Sequence, residues 1–421
     1  MKTLKIILIT ISLFLTMNDM VFSQPFTKKY IMSFHTCGVN CNGFQDHKVN
    51  LAESDDGINW TLVPNFIPYG GSVPDVIIRG SKLYIYTPGM VKRYDKITNT
   101  WDSNPVPVSI IDNNGAPVQF VDPSAIIDNS GKIVLFYLNS TGLTGDPAGC
   151  QTYPCTKYFD SAVEVEGSDG TQFISQSGDR ATYQLTDSPS SASDPDIFFD
   201  GTHYILYISK GQGIIAMKSD TLQGSYTVFP NLPNGVLTNQ GGVPSGYFDD
   251  INNQYWTYVH STNNAGSVVI RRAVHSDFNS QLTSFSTVLS GPIIGETSTT
   301  TTESPGITLN TFLVTGVELV NSNIPNKFEL TQNYPNPFNP STTIEYSIPA
   351  AGVGDISSVQ LTVYDIFGRE VSELVNAKQN PGKYKINFNA EDLSCGIYFY
   401  KLSVTGTSGN FTQTKKMILL R

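Results

Sequence analysis

The chain has 421 residues, enough for two or three domains. It carries 26 basic and 36 acidic residues, and the formal net charge of −10 argues against a general nucleic-acid-binding protein, which would present a basic patch. Only 15% of the residues are charged, whereas Gly (35), Pro (24), Tyr (21) and Phe (23) are abundant. This composition excludes a disordered chain and predicts an all-β protein.

Residues 1–23 have the features of a secretory signal. Lys2 and Lys5 precede the apolar run Ile6–Thr16, which is too short to span a bilayer. No later stretch is long enough either, so we expect no transmembrane span. The mature chain is expected to begin at Gln24 after export through the periplasm, and no Cys follows the cleavage point to carry a lipid anchor.

The cysteines fit an exported protein. Two short-range pairs lie in loop-like sequence, and they predict local disulfides between Cys37 and Cys41 and between Cys150 and Cys155. Zinc is the alternative for the first pair, because His35 and His47 lie close to it, but an oxidising compartment favours the disulfide. Cys395 lies in an apolar strand pattern and is expected to be a buried free thiol.

Residues 24–317 contain a five-fold repeat. Each copy has a proline beside an Asp or a small residue, followed by an apolar strand, a turn and an aromatic strand, although the fifth copy is less regular. The repeat prolines are Pro74, Pro123, Pro195, Pro244 and Pro305. A spacing near 50 residues is typical of a four-stranded propeller blade, so the pattern predicts a five-bladed β-propeller.

The ends of this region predict circular closure. Lys28–Val63 precedes the first repeat but has the pattern of the later strands of a blade. Residues near 304–316 would supply its inner strand, which leaves no open sheet edge. In the alternative interpretation, the Thr/Ser run Thr297–Ser304 begins a linker. Ser54-Asp55-Asp56-Gly57 and Ser168-Asp169-Gly170 are expected to be hairpin turns between outer strands.

Acidic residues accompany the repeat prolines. Because the first strand of each propeller blade lines the central channel, these residues are expected to converge on one pocket. The candidate catalytic residues are Asp75, Asp122, Asp194 and Glu303, and Asp196 is a candidate ligand-binding residue. Converging carboxylates suit glycoside hydrolysis, can bind Ca²⁺, or simply cap their own turns. No cofactor is certain from the sequence, and no metal site is assigned.

Residues 28–316 resemble the five-bladed glycoside hydrolase superfamily that includes arabinanases, xylosidases and fructanases. The matching segments are Asp122-Pro123-Ser124, Asp194-Pro195-Asp196-Ile197 and the Ser-x-Asp-Gly-type turns. The resemblance implies a base Asp on one blade, a pKa-tuning Asp two blades on, and an acid Glu on the next blade. Asp75 and Asp194 fit the first two roles, whereas the blade after Asp194 has no Glu and Glu303 comes one blade later.

Two functions therefore stay open for this region. The first is a propeller that binds a poly- or oligosaccharide without cleaving it, which the missing acid favours. The second is an active glycoside hydrolase that uses paired channel carboxylates. Tyr247 and Trp256 are candidate ligand-binding residues in either case, because aromatic rings stack on sugar rings.

Residues 327–421 form a second domain after a linker at 318–326. Short strand-like runs separated by turn residues predict a small Ig-like β-sandwich. The segment resembles the type A C-terminal sorting domain of the type IX secretion system. The matching segments are Asn333-Tyr334-Pro335-Asn336-Pro337-Phe338-Asn339-Pro340, Val363-Tyr364-Asp365-Ile366-Phe367-Gly368-Arg369, Gly396-Ile397-Tyr398-Phe399-Tyr400-Lys401 and Lys415-Lys416-Met417-Ile418-Leu419. The resemblance implies that outer-membrane machinery reads this tail and that the protein is secreted or displayed on the outer cell surface.

Overall fold

The computed structural model describes residues 26–420, apart from 39–45, 144, 189, 265, 313–316, 322–324, 326, 350–355, 378, 380–381, 391–392 and 407–408. The described residues are mainly β-strand, with two single-turn 3₁₀ helices at Pro233–Gly235 and Pro292–Ile294. This confirms the all-β prediction. The predicted signal at residues 1–23 lies outside the described part of the chain.

Five sheets surround one central channel, and we number these blades by the order of the five repeat prolines. The chain begins in blade 5 with β1 (Tyr30–Cys37), β2 (Lys48–Ser54), β3 (Thr61–Leu62) and β4 (Tyr69–Gly70). Blade 1 contains β5 (Asp75–Arg79), β6 (Lys82–Thr87), β7 (Met90–Asp95), β8 (Thr100–Trp101) and β9 (Val106–Pro107). Blade 2 contains β10 (Ser109–Ile111), β11 (Pro117–Val118), β12 (Phe120–Ile127), β13 (Ile133–Asn139), β14 (Cys155–Glu164), β15 (Gln172–Ser175) and β16 (Ala181–Leu185).

The remaining blades follow in chain order. Blade 3 contains β17 (Ser193–Phe199), β18 (Tyr204–Lys210), β19 (Gly213–Ser219), β20 (Thr227–Val228) and β21 (Val236–Thr238). Blade 4 contains β22 (Gly242–Asp249), β23 (Gln254–Thr262), β24 (Val268–His275) and β25 (Ser286–Leu289). Finally β26 (Thr301–Leu309) pairs with β1 and completes blade 5. The inner strands β5, β12, β17, β22 and β26 contact one another in this order and close the ring.

The pairing of β26 with β1 confirms the predicted closure. Its register places Tyr30 opposite Leu309 and His35 opposite Glu303. Residues 301–304 are therefore part of an inner strand rather than the start of a linker. Each blade has neighbours on both faces, which explains why the second strands read as continuous apolar runs such as Ile133–Leu138, whose side chains are all fully buried.

The residue before each repeat proline has an unusual backbone. Its φ angle is positive in all five blades: Val73 (46°), Asp122 (53°), Asp194 (49°), Val243 (45°) and Ser304 (53°). Such angles are uncommon for any residue with a side chain and rarer still for valine. In four blades the strand ladder shifts register at this point, as a β-bulge does. All five residues line a narrow cavity of about 20 Å³ in the channel.

The residue after each repeat proline ties one blade to the next. At four of the five junctions its side-chain oxygen accepts a hydrogen bond from a backbone amide of the following blade. The bonds join Asp75 Oδ2 to Ala125 N (2.6 Å), Ser124 Oγ to Ile197 N (3.1 Å), Asp196 Oδ2 to Gly246 N (2.7 Å) and Ser245 Oγ to Ile307 N (3.2 Å). At the fifth junction the residue is Gly306, and Ser33 Oγ donates to the Pro74 carbonyl at 3.0 Å instead. We call these bonds the amide girdle.

The predicted hairpin turns also join blades. The Gly57 carbonyl accepts a hydrogen bond from Tyr258 Oη of blade 4 at 2.8 Å, and the Gly170 carbonyl accepts one from Tyr86 Oη of blade 1 at 3.0 Å. Both glycines have positive φ, and a Cβ at either would lie 2.8 Å or less from the neighbouring tyrosine. Only glycine allows this close approach, so the turns stabilise the ring as well as their own hairpins.

The C-terminal region is a sandwich of two four-stranded sheets with its own core. Its strands are β27 (Val317–Asn321), β28 (Glu329–Leu330), β29 (Ser341–Ile348), β30 (Ile356–Tyr364), β31 (Glu370–Ala377), β32 (Gly382–Asn389), β33 (Gly396–Gly406) and β34 (Gly409–Leu419). β27 pairs with β32, so residues 317–321 belong to this sandwich and not to the propeller or the predicted 318–326 linker. The burial predicted for Cys395 is wrong, because the residue is exposed in the turn that precedes β33.

Candidate functional site

The channel opens into a groove formed by two adjoining cavities. The first, of about 640 Å³, is lined by Asp122, Asp194 and Val73, which also line the narrow channel cavity. The second, of about 830 Å³, is lined by the Cys150 loop and by Lys210. Asp146 lines both cavities, which are therefore adjacent, and we call the two together the mouth groove. Each of the two cavities has a volume in the range typical of ligand sites.

Asp122 and Asp194 form a carboxyl pair at the base of the mouth groove. The bulges at the repeat prolines place both residues there, and Asp122 Oδ2 lies 3.4 Å from the Asp194 amide. Burial and the neighbouring Asp194 charge raise the pKa of Asp122 well above its usual range. Burial also raises the pKa of Asp194 to about 6, although a hydrogen bond from Ser193 opposes this. The pair therefore holds a proton more readily than free carboxylates do.

Glu303, next to the channel-lining Ser304 of β26, occupies a different electrostatic environment. Its Oε2 lies 3.8 Å from His35 Nε2 and 3.8 Å from His260 Nδ1. Burial alone would raise the pKa of Glu303, but the nearby His35 and His260 rings hold it at about 2. Burial lowers the pKa of His260 to about 4, so at neutral pH Glu303 is a carboxylate beside a neutral imidazole.

The surroundings of His35 determine which of its nitrogens carries the proton. His35 Nδ1 accepts a hydrogen bond from the Val73 amide at 3.2 Å, so the proton of the neutral ring is on Nε2, directed toward Glu303. A His that binds a metal through one ring nitrogen usually donates the N–H of its other nitrogen. His35 differs, because a metal at Nε2 would displace the proton there while Nδ1 already accepts a hydrogen bond. Within the described ranges no group of three or more His, Cys, Asp or Glu residues could hold a metal ion.

Asp75 and Asp196 are held in the amide girdle rather than in the mouth groove. Each is fully occupied as an acceptor from a backbone amide of the next blade, and both are at least 90% buried. Both also line the narrow channel cavity beside Asp122 and Asp194, so the role of base predicted for Asp75 stays a prediction. Asp196, predicted to bind ligand, likewise points between blades 3 and 4. Their side chains maintain the shape of the ring, because buried carboxyl groups need hydrogen-bond donors.

Tyr247 and Trp256 are not at the groove either. Trp256 is only 4% exposed, and its ring centroid lies 4.9 Å from that of Tyr30 and 5.2 Å from that of Tyr247. The Arg272 guanidinium covers the Trp256 ring at 3.9 Å. These residues form an aromatic layer between blades 4 and 5, so the prediction that they stack on sugar is wrong. They alternate as strand residues normally do, with one face of the sheet buried against the neighbouring blade.

A disulfide shapes one wall of the mouth groove. Cys150 and Cys155 are bonded, as predicted. The buried Lys157 also stabilises this loop, because its Nζ donates hydrogen bonds to the carbonyls of Pro147 and Gly149. Cys37 is also disulfide-bonded, whereas Cys41 lies outside the described residues.

The sequence analysis did not assign a role in the site to His35, His260 or Asp146. His35 and His260 lie in ordinary strand patterns, and nothing in their spacing distinguishes a channel position from a core position. Asp146 belongs to a loop, for which no periodicity applies. One signal was available: the position before each repeat proline recurs in all five blades, and Asp122 and Asp194 occupy it.

The girdle carboxyl groups make stability depend on pH. Burial raises the pKa of Asp75 to about 6, although amides of Ala125 and Val76 donate to it. The unfolded chain has a pKa near 4, so the folded state binds more protons between about pH 4 and 6 and stability falls as pH rises through this window. Asp75→Asn removes the free-energy cost of ionising a buried carboxyl group. We expect the variant to gain about 1–3 kcal/mol in unfolding free energy relative to the wild type at pH 7.5 and to lose that advantage at pH 4. Urea titrations at both pH values measure this, and an equal difference at both would contradict it.

The comparisons with known proteins identify the C-terminal region. The family model described as "Secretion system C-terminal sorting domain" matches residues 332–420. No curated protein matches the chain. No helix in the described part of the chain has the length and apolar character needed to cross a membrane.

Solved structures with a similar backbone are glycoside hydrolases of low identity. A GH43_1 enzyme from Xanthomonas citri in complex with xylose is 18% identical, with 62% of this chain and 86% of that chain covered and a TM-score of 0.40. An alpha-L-arabinofuranosidase from Clostridium thermocellum is 14% identical, with coverages of 73% and 95% and a TM-score of 0.35. An endo-1,5-alpha-L-arabinanase from Thermotoga petrophila is 14% identical, with coverages of 82% and 94% and a TM-score of 0.36.

The sorting domain agrees with the two-sheet sandwich seen from β27 to β34. Its presence means that the type IX secretion machinery handles this chain. Residues 332–420 belong to the family of secretion system C-terminal sorting domains, and the protein is an exported cargo, secreted or held at the outer cell surface.

Proposed function

We propose that the propeller of this cargo is a glycoside hydrolase in which the Asp122–Asp194 pair supplies the proton and Glu303 acts as the base. The observation that supports this is the opposite direction of the pKa shifts on the inner strands of neighbouring blades: raised at the Asp pair and lowered at Glu303 beside the channel-lining Ser304. Carboxyl groups whose environments separate their pKa values in this way are the pattern of acid–base catalysis. Glycoside hydrolysis requires one carboxylic acid and one carboxylate across the scissile bond.

The resemblance implies an acid Glu, whereas the proposal makes Glu303 the base. An acid must be protonated at the working pH, and Glu303 is ionised there because the neighbouring His35 and His260 lower its pKa. A carboxylate in that state can activate water or attack the sugar carbon. The raised pKa of Asp194, about 6, suits donation of a proton to the leaving oxygen.

The mouth groove sets the substrate class. It is lined by polar groups such as Ser72, Ser190 and Lys210 together with apolar groups such as Met90 and Val121. Apolar surface with a few polar groups can hold sugar units, which present both apolar faces and hydroxyl groups.

A glycan-binding propeller without catalysis is the second candidate. It is favoured by the hydrogen bonds that the pair already makes: Ser193 Oγ donates to Asp194 at 2.5 Å, and the Asp194 amide faces Asp122. Groups engaged in this way are less available to a substrate oxygen.

The test is sugar release by the purified mature chain from a panel of plant and bacterial polysaccharides. The wild type is expected to release sugar and Asp194→Asn to release none, with a thermal midpoint no lower than that of the wild type. Asp128→Asn, at an exposed turn away from the channel, is the matched control and should behave as the wild type. If the wild type and the variants bound a polysaccharide but released no sugar from it, the propeller would be a glycan-binding domain without catalysis.

A further inference from the structure

The exposed large apolar side chains of the sorting domain lie together. Among its described residues there are five, and their exposed fractions are Tyr334 82%, Phe367 77%, Ile366 61%, Leu420 50% and Ile397 43%. We call this set the apolar end.

The sheet register shows that the five residues share one end of the sandwich. Tyr364, the last residue of β30, pairs with Phe399 of β33, and Phe399 pairs with Lys416 of β34. The turn with Ile366 and Phe367 follows β30 beyond this row. Ile397 near the start of β33 and Leu420 just after β34 lie beyond the same row, since Ile397 pairs with Ile418.

The segment that carries Tyr334 is attached to the same end. Asn336 Oδ1 accepts a hydrogen bond from the Ile418 amide at 2.9 Å, and the Phe338 amide donates to the Ile418 carbonyl at 3.0 Å. Gln332 Nε2 donates to the Lys416 carbonyl at 2.7 Å. The segment therefore runs along the last residues of β34, and the row from Tyr364 to Lys416 is only about 10 Å wide, the width of two strand spacings.

The backbone that presents Tyr334 is firmly held. The Tyr334 amide donates to the Thr343 carbonyl, and the Tyr334 carbonyl accepts from the Thr343 amide, each at 2.9 Å. The preceding Asn333 is only 2% exposed, and it is fixed because it donates hydrogen bonds to the Tyr400 and Thr342 hydroxyl groups. The ring nevertheless projects into solvent. A fixed backbone with an exposed ring loses little conformational entropy on binding.

The Phe367 turn is held in the same way. Asp365 Oδ1 accepts hydrogen bonds from the amides of Phe367 (2.8 Å) and Arg369 (3.0 Å), and Arg369 Nε donates to Asp365 Oδ2 at 2.6 Å. Gly368 has a φ of 77°, which completes the turn. The Arg369 guanidinium lies 5.3 Å from the Phe367 ring centroid but leaves it 77% exposed.

We propose that the apolar end is the surface through which a protein component of the secretion machinery captures this cargo, with the Tyr334 and Phe367 rings as anchors in an apolar recess of that component. Exposed apolar patches mark interaction sites, and aromatic residues dominate the binding energy of such sites. The domain is a sorting domain, so a partner that reads it is required. This inference rests on the sorting-domain match and is independent of the proposed hydrolase activity.

The test is export of the full chain in a bacterium that has a type IX system. Tyr334→Ala combined with Phe367→Ala is expected to reduce the secreted and surface-held protein at least about tenfold and to leave signal-cleaved protein in the periplasm. Ile97→Ala, an equally exposed apolar residue of the propeller, and Asn410→Ala, at the opposite end of the sandwich, are the controls and should export normally.

Folding is checked separately by the thermal midpoint of the purified chain. If the double variant is unstable, Ile366→Asp at the same turn replaces it and should show the same export defect. Normal export of stable apolar-end variants would overturn the proposal. It would equally be overturned if these variants exported normally but lost binding to lipid vesicles, because the surface would then serve a membrane and not a protein.

Discussion

Glu303→Gln is expected to lower kcat for sugar release by about 10²–10⁴-fold, the usual contribution of a general base. Gln keeps the shape of the side chain but cannot accept a proton from water or attack as an anion. The two histidines that hold Glu303 ionised would face an uncharged amide, so binding of substrate should change less than kcat. Initial rates across a range of substrate concentrations separate the two parameters.

The pH dependence of the wild type checks the same assignment. The proposed base has a pKa of about 2, so it stays ionised above about pH 3 and imposes no loss at neutral pH. The proposed acid is protonated below its raised pKa, near 6 for Asp194, so the rate should fall as pH rises through that value. Glu296→Gln, at an exposed position in the preceding loop, is the control. A Glu303→Gln variant as active as Glu296→Gln would exclude Glu303 as the base.

Gly246→Ala is expected to destabilise the propeller by about 3 kcal/mol or more. A Cβ at Gly246 would lie 2.0 Å from Phe198 Cε1, and Phe198 is itself packed at 5.2 Å against the Tyr207 ring. The Gly246 amide also donates to Asp196 in the amide girdle, so a backbone shift that relieved the clash would break a buried hydrogen bond. Overpacking and loss of a buried partner are both costly.

Urea denaturation of the mature chain measures this loss. Gly70→Ala is the matched control, because a Cβ there meets nothing within 4 Å and its φ is not positive. It should change the unfolding free energy by less than about 0.5 kcal/mol. If the two variants were equally stable, the close contact between blades 3 and 4 would not be a constraint on the fold.

Much of the fold could be predicted because it follows from local chemistry. The second strands are buried on both faces and must be apolar along their whole length, which makes them visible as runs such as Ile133–Leu138. The repeat prolines recur because the residue before each of them has the same positive-φ backbone in all five blades. The end of the propeller was misplaced, since the strand at 317–321 pairs with β32, more than sixty residues away along the chain.

The candidate site could be predicted only in part, as the two acids around Pro195 show. Asp194 and Asp196 are two residues apart, so in a regular strand both would face the same side. The positive φ of Asp194 and the bulge beside it break this alternation. Asp194 therefore faces the mouth groove, while Asp196 accepts the Gly246 amide of the next blade.

The sequence by itself determined the all-β class, the repeated inner strands, the Cys150–Cys155 disulfide and the sorting domain, because each depends on residues that are near one another in the chain. Only the tertiary structure decided which carboxyl groups hold a proton. The closure of the ring brings His35 from the first strand and His260 from blade 4 close to Glu303. Asp122 and Asp194 come from neighbouring blades, and burial raises the pKa of both. A pKa depends on distance and desolvation in three dimensions, and neither quantity is encoded in local spacing.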